Sequence, residues 1–123
     1  VTRVFGRFGN CFGAAFQIRD DLLDILSDQK TEGKPVLNDL REGIATLPVI
    51  LSVRNNKALE DQVKEIFNGD GDIYELVKNI ISSGGVKEAE KVKNKYIQKC
   101  KKYIECLPRT AYTSALEEVV NWL

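Results

Sequence analysis

The chain contains no histidine, and that absence closes off more chemistry than any other feature. It excludes a Ser-His-Asp triad, a Cys-His pair and the usual His-containing zinc sites together. Any catalysis must rest on carboxylates, lysines, arginines and bound metal. Methionine is missing too, even at position 1, so a chain that opens Val1-Thr2-Arg3 reads as a piece of something longer. Cysteine is scarce: Cys11, Cys100 and Cys106 are an odd number without CxxC spacing. That argues against a disulfide framework and for the reduced thiols of a cytoplasmic protein. An excess of either charge is also lacking, since eighteen basic residues balance eighteen acidic ones. A dedicated nucleic-acid binder normally carries a basic surplus, so nucleic acid is not an expected partner. No apolar run approaches the ~20 residues of a membrane span, so stable membrane insertion is not expected. Arg3 and Arg7 precede no apolar stretch long enough for a signal peptide.

What is present reads as one soluble unit. A length of 123 residues, 43% hydrophobic and 29% charged, suits one globular domain and is too short for two ordinary ones. Alternating strand patterns are missing and helical periodicity dominates, so the expected fold class is all-α, with residues 1–123 as a single piece. The first helix is expected over Val4–Ser27. Its apolar face would use Phe5, Phe8, Phe12, Phe16, Leu23 and Leu26, with Gly6, Gly9 and Gly13 admitting another helix closely. Residues 28–40, polar and broken by Gly33 and Pro35, predict a loop. Thr46 is placed as the N-cap of a helix reaching Val53, with Pro48 in its first turn. Ala58–Phe67 predicts a helix closed by the turn Asn68-Gly69-Asp70-Gly71. Asp72 then caps a helix with Ile73, Leu76, Val77, Ile80 and Ile81 as apolar positions, ended by Gly84-Gly85. Val86–Leu107 predicts a long amphipathic helix through Val92, Tyr96, Ile97, Cys100, Tyr103 and Ile104. Pro108 stops it, and Thr113–Leu123 forms a last helix with Leu116, Val119, Val120 and Trp122.

The chemistry concentrates in Asp20-Asp21-Leu22-Leu23-Asp24. On a helix, residue 24 neighbours both 20 and 21, so three carboxylates share one turn. Like charges at that spacing cost roughly 0.2–0.5 kcal/mol per pair, which suggests a missing cation. The motif holds no lysine, and Arg19 points along a different edge. A hard divalent cation suits it, because Mg²⁺ takes one or two carboxylates plus phosphate oxygens. An ordinary solvated helix face is the competing reading. Two neighbours weigh toward function. Gln17 adds an amide one turn earlier, and Gly33-Lys34 follows with an ammonium suited to phosphate oxygens.

Four blocks then carry a resemblance: Phe16-Gln17-Ile18-Arg19-Asp20-Asp21-Leu22-Leu23-Asp24, Gly33-Lys34-Pro35-Val36, Asp39-Leu40-Arg41-Glu42-Gly43 and Thr46-Leu47-Pro48-Val49-Ile50. Their order and spacing resemble the second aspartate-rich region of the trans-isoprenyl diphosphate synthases. The Gly84-Gly85-Val86 helix start and the ending Cys106-Leu107-Pro108 are similar to the closing helices of that family. The resemblance implies the C-terminal part of an isoprenoid-synthase-type helical bundle from a homo-oligomeric enzyme. The family's other aspartate-rich motif, its lysine–arginine region for isopentenyl diphosphate and its arginine pair are not in the chain. By the same resemblance, Asp20, helped by Asp21 and Asp24, would hold Mg²⁺ against an allylic diphosphate, with Gln17 and Lys34 contacting that substrate. The parent would condense isopentenyl diphosphate with an allylic diphosphate to give an all-trans polyprenyl diphosphate, and this chain alone would be inactive. Ile44 departs from the pattern, standing where many relatives have a lysine that helps hold the diphosphate.

Two alternatives stay open. A class I terpene cyclase also ionises allylic diphosphates on acidic helices, although the Gly33-Lys34 and Thr46-Leu47-Pro48 blocks look more like the synthases. A non-catalytic diphosphate-binding or partner subunit is the other. The lysine-rich stretch 86–109 reads as a solvated helix face, and the phenylalanine stripe from Phe5 to Phe16 as core, as a wall of the prenyl cavity, or as both.

Overall fold

The computed structural model describes residues 2–26 and 37–123. Among these, seven helices follow in chain order: α1 Thr2–Leu26, α2 Asn38–Arg41, α3 Leu47–Asn55, α4 Leu59–Phe67, α5 Ile73–Ser82, α6 Gly85–Glu105 and α7 Ala111–Trp122. The described residues contain no strand, and the fold class is all-α. No described helix is long and apolar enough to cross a membrane. Two compact units are present, one made of Val1–Arg19 with Lys91–Leu123, the other of Asp20–Glu90.

The second of these is built around α5. Asp72, in extended conformation, accepts the backbone N–H groups of Tyr74 at 3.0 Å and Glu75 at 3.3 Å. It thereby satisfies two of the donors that a helix start leaves open. Ile73, Leu76, Val77 and Ile80 are buried, at the spacing of one helix face. Ile81, expected with them, is 45% exposed because it falls on the opposite flank. Helix α5 packs on α3 and α4, and α2 packs on α4. Asn79 of α5 donates to Gln62 of α4 at 2.9 Å, and the buried Ser52 hydroxyl of α3 donates to the Ile80 carbonyl at 2.9 Å. Thr46 has the extended backbone expected of an N-cap, and Pro48 lies in the first turn of α3. The Thr46 side chain, however, makes no capping bond. Gly84 takes φ +84° and ends α5 as expected. Gly85 begins α6 instead, at a point where α3 passes so closely that a Cβ would lie 1.8 Å from Ser52 Oγ and 2.2 Å from the Pro48 carbonyl oxygen.

The other unit joins the first five turns of α1 to α7 and most of α6. Its core holds Phe8, Cys11, Cys100, Ile104 and Val120, flanked by Phe12, Tyr96, Ile97, Tyr103 and Leu116. Helix α7 starts two residues before the expected Thr113. Thr113 is the third residue inside it and accepts the Thr110 N–H at 2.9 Å, which closes a capping box. All three cysteines are free thiols.

Three expectations require correction. The buried positions of α1 are Phe8, Cys11, Ala15, Ile18, Leu22 and Ile25, whereas Phe5, Phe16, Leu23 and Leu26 are exposed. Burial follows alternating steps of three and four, which keep one face pointed inward. The four phenylalanines step mostly by four and drift around the cylinder. Gly6, Gly9 and Gly13 meet nothing within 4 Å among the described residues, so none of the described helices approaches closely there. Within the expected loop, residues 38–40 are helical, as part of α2. Gly33, Pro35 and the remainder of 28–36 lie outside the described residues.

Candidate functional site

Gln17, Asp20, Asp21 and Asp24 all ride on α1, and their surroundings differ. Asp20 is exposed. At 100° per residue it shares a stripe with Phe16, 38% exposed, and Leu23, 48% exposed. Gln17 is also exposed and flanks that stripe. Asp21 turns inward and is buried, 7% exposed. Asp24 is half-buried. The helix therefore presents one carboxylate to solvent between two apolar side chains. Lys34, the remaining predicted contact, lies outside the described residues.

Asp24 is already engaged. Its Oδ1 accepts the backbone N–H of Asn38, the first residue of α2, at 3.0 Å. Burial pushes its carboxyl above the ordinary range. The Asn38 N–H works against this, the nearby Asp39 carboxylate adds to it, and the Asp39 N–H again opposes it. Nothing in the local sequence gives Asp39 a role. Its charge acts on Asp24 across fifteen residues of chain, and only the return of α2 to α1 places it there. Helix α2 runs into a tight turn in which Gly43 has φ +80° and Ile44 N–H bonds to the Asp39 carbonyl at 2.8 Å. Ile44 itself is 47% exposed.

Arg19 follows a different edge, as its spacing predicts. Its guanidinium lies 3.9 Å from the centre of the Trp122 ring, and Phe16 stacks on the same ring at 6.0 Å. In the sequence Trp122 is only an apolar position of the last helix. Nothing in the local sequence signals the stack, because the partners are about a hundred residues apart.

Among the described residues, no three carboxylates or thiols gather closely enough to hold a metal by themselves. Mg²⁺ does not require such a group, since it keeps several waters and binds through one or two carboxylates plus substrate phosphates. Exposed Asp20 fits that requirement.

Comparison with known proteins identifies the family. The polyprenyl synthetase family matches residues 1–83. The chain is 34% identical to solanesyl diphosphate synthase 2, chloroplastic, of Arabidopsis thaliana, over 98% of this chain and 29% of that protein. It is 32% identical to geranylfarnesyl diphosphate synthase of Aeropyrum pernix, over 100% of this chain and 38% of that protein. Its structure resembles that of a polyprenyl synthase from Caulobacter crescentus complexed with calcium and isoprenyl diphosphate. There the TM-score is 0.82 and the identity 28%, over 98% of this chain and 38% of that one. The chain thus spans 29–38% of the length of these relatives. With the family match over residues 1–83, these identities and the shared helical fold, the chain belongs to the polyprenyl synthetase family.

Proposed function

We propose that this chain is the C-terminal part of an all-trans polyprenyl diphosphate synthase, which condenses isopentenyl diphosphate with an allylic diphosphate. Its share of the work is to hold Mg²⁺ and the allylic diphosphate. The observation that carries the reading is the exposed stripe of α1, where Asp20 stands between Phe16 and Leu23. A ligand with a charged head and an apolar chain matches that stripe. Asp20 is the principal metal-holding carboxylate, seconded by Asp21. Gln17 offers an amide to the diphosphate oxygens from the flank, and Lys34 supplies a fixed positive charge.

Ionising an allylic diphosphate separates a resonance-stabilised cation from a multiply charged leaving group. When bound, Mg²⁺ neutralises charge that develops on the departing diphosphate. Gln17 and Lys34 stabilise the same oxygens as charge accumulates, which is where electrostatic assistance acts most strongly. Phe16 and Leu23 keep water from the cation while the alkene of isopentenyl diphosphate attacks and a proton is lost. The parent enzyme is a homo-oligomer of the cytoplasm in this reading.

The test is prenyl transfer by the parent protein with radiolabelled isopentenyl diphosphate and an allylic diphosphate. Elongation that stops on chelation and returns with Mg²⁺ supports the reading. Allylic diphosphate that cyclises or hydrolyses, with no uptake of label, refutes it.

A further inference from the structure

The three aspartates of the motif differ in burial, and Asp24 accepts a hydrogen bond from backbone. Its Oδ1 accepts the N–H of Asn38 at 3.0 Å, and the neighbouring Asp39 N–H also acts on its carboxylate. Helix α2 has no cap of its own. The residue before it is Leu37, whose side chain cannot accept a hydrogen bond. Leu37 is fully buried and held at φ +56°, a left-handed conformation that is strained for a leucine. Something outside α2 must keep this entry in place. Asp24 does so by supplying the acceptor that a capping side chain normally provides. The same bond holds the start of α2 beside the last turns of α1.

We infer that Asp24 is a positioning residue, a cap delivered from α1 to the N-terminus of α2, and not a ligand of the metal. This refines the proposed function, on which its kinetic part rests: Asp20 meets the metal, while Asp24 holds the Asn38–Arg41 block against the helix that carries Asp20. Asparagine caps a helix about as well as aspartate but is a far poorer metal ligand. The two roles therefore separate cleanly by substitution.

The experiment compares Asp24→Asn, Asp24→Ala and Asp20→Asn in the full-length parent enzyme. Two readouts are used: amide hydrogen exchange over residues 37–44 in metal-free protein, and the Mg²⁺ dependence of prenyl transfer. Asp24→Ala should speed exchange over 37–44 at least about tenfold and lower kcat/KM for the allylic diphosphate by a similar factor. Asp24→Asn should restore both and keep the Mg²⁺ half-saturation within about threefold of the parent, the loss of a direct ligand being worth at least about tenfold. The inference is overturned if Asp24→Asn raises the Mg²⁺ half-saturation as Asp20→Asn does, or if Asp24→Ala leaves exchange over 37–44 unchanged. If Asp20→Asn leaves the Mg²⁺ dependence untouched while the Asp24 pair behaves as expected, the cap stands and the metal assignment of Asp20 fails.

Discussion

Replacing Gly85 with alanine tests the packing of α3 against the start of α6 at its tightest point. The added Cβ would lie 1.8 Å from Ser52 Oγ, 3.0 Å from Ser52 Cβ and 2.2 Å from the Pro48 carbonyl oxygen. A serine hydroxyl can rotate away. The Pro48 carbonyl belongs to the backbone of α3, so the helix itself must retreat by roughly 1 Å, a forced overpacking that typically costs 1–3 kcal/mol. Rotation of Ser52 also breaks its bond to the Ile80 carbonyl, worth about 0.5–1.5 kcal/mol at a fully buried site. Alanine returns about 0.5–1 kcal/mol of helix propensity. The net expectation is a loss of about 2–3 kcal/mol. Gly84→Ala is the matched control. Its nearest neighbour, Asn55 Nδ2, is 3.7 Å away, so its cost comes from φ +84° alone, about 1–2 kcal/mol. Urea denaturation of the parent protein and both variants measures the difference. Gly85→Ala should have the lower midpoint of the two variants at equal m-value. A Gly85→Ala protein as stable as the parent would refute the close approach.

Two further outcomes follow from local chemistry. Asp72→Ala should cost about 1 kcal/mol in the same denaturation series and Asp72→Asn only a few tenths, because the site needs an acceptor and not a charge. Cys100, fully buried, has its thiol pushed up to about 11 by burial and by neighbouring Cys11. Between pH 9 and 11 the unfolded thiol ionises while the folded one stays protonated, so stability falls as pH rises across that window. Cys100→Ala should flatten the decline relative to the parent, and an identical pH slope in the two proteins would contradict the assignment.

Where the signal was local, the sequence announced the structure. The α5 segment shows this: an aspartate cap, apolar residues at 73, 76, 77 and 80, then glycine. The turn at 68–71 is of the same kind. Where the answer depended on what lies across the fold, it was hidden. The phase of α1 is hidden because large aromatic residues outweigh Cys11 and Ala15 in hydrophobicity, although Cys11 and Ala15 are buried while Phe5 and Phe16 are exposed. Helix α2 is four residues long, too short for periodicity to reveal, and its cap comes from a residue fourteen positions earlier. The candidate site divides along the same line. Residue types and spacing pointed to Asp20, Asp21 and Asp24 as a group. Only the structure separates an exposed Asp20 from a buried Asp21 and an Asp24 bound to backbone.

The most direct test of the account is the Mg²⁺ dependence of prenyl transfer by the parent enzyme with Asp20→Asn. The substitution keeps the size of the side chain and removes the charge that faces solvent between Phe16 and Leu23. The account predicts a fall in kcat/KM of at least about a hundredfold, near 2.7 kcal/mol of transition-state stabilisation, partly recovered at high Mg²⁺. Parent-like kcat/KM and an unchanged Mg²⁺ half-saturation would contradict it.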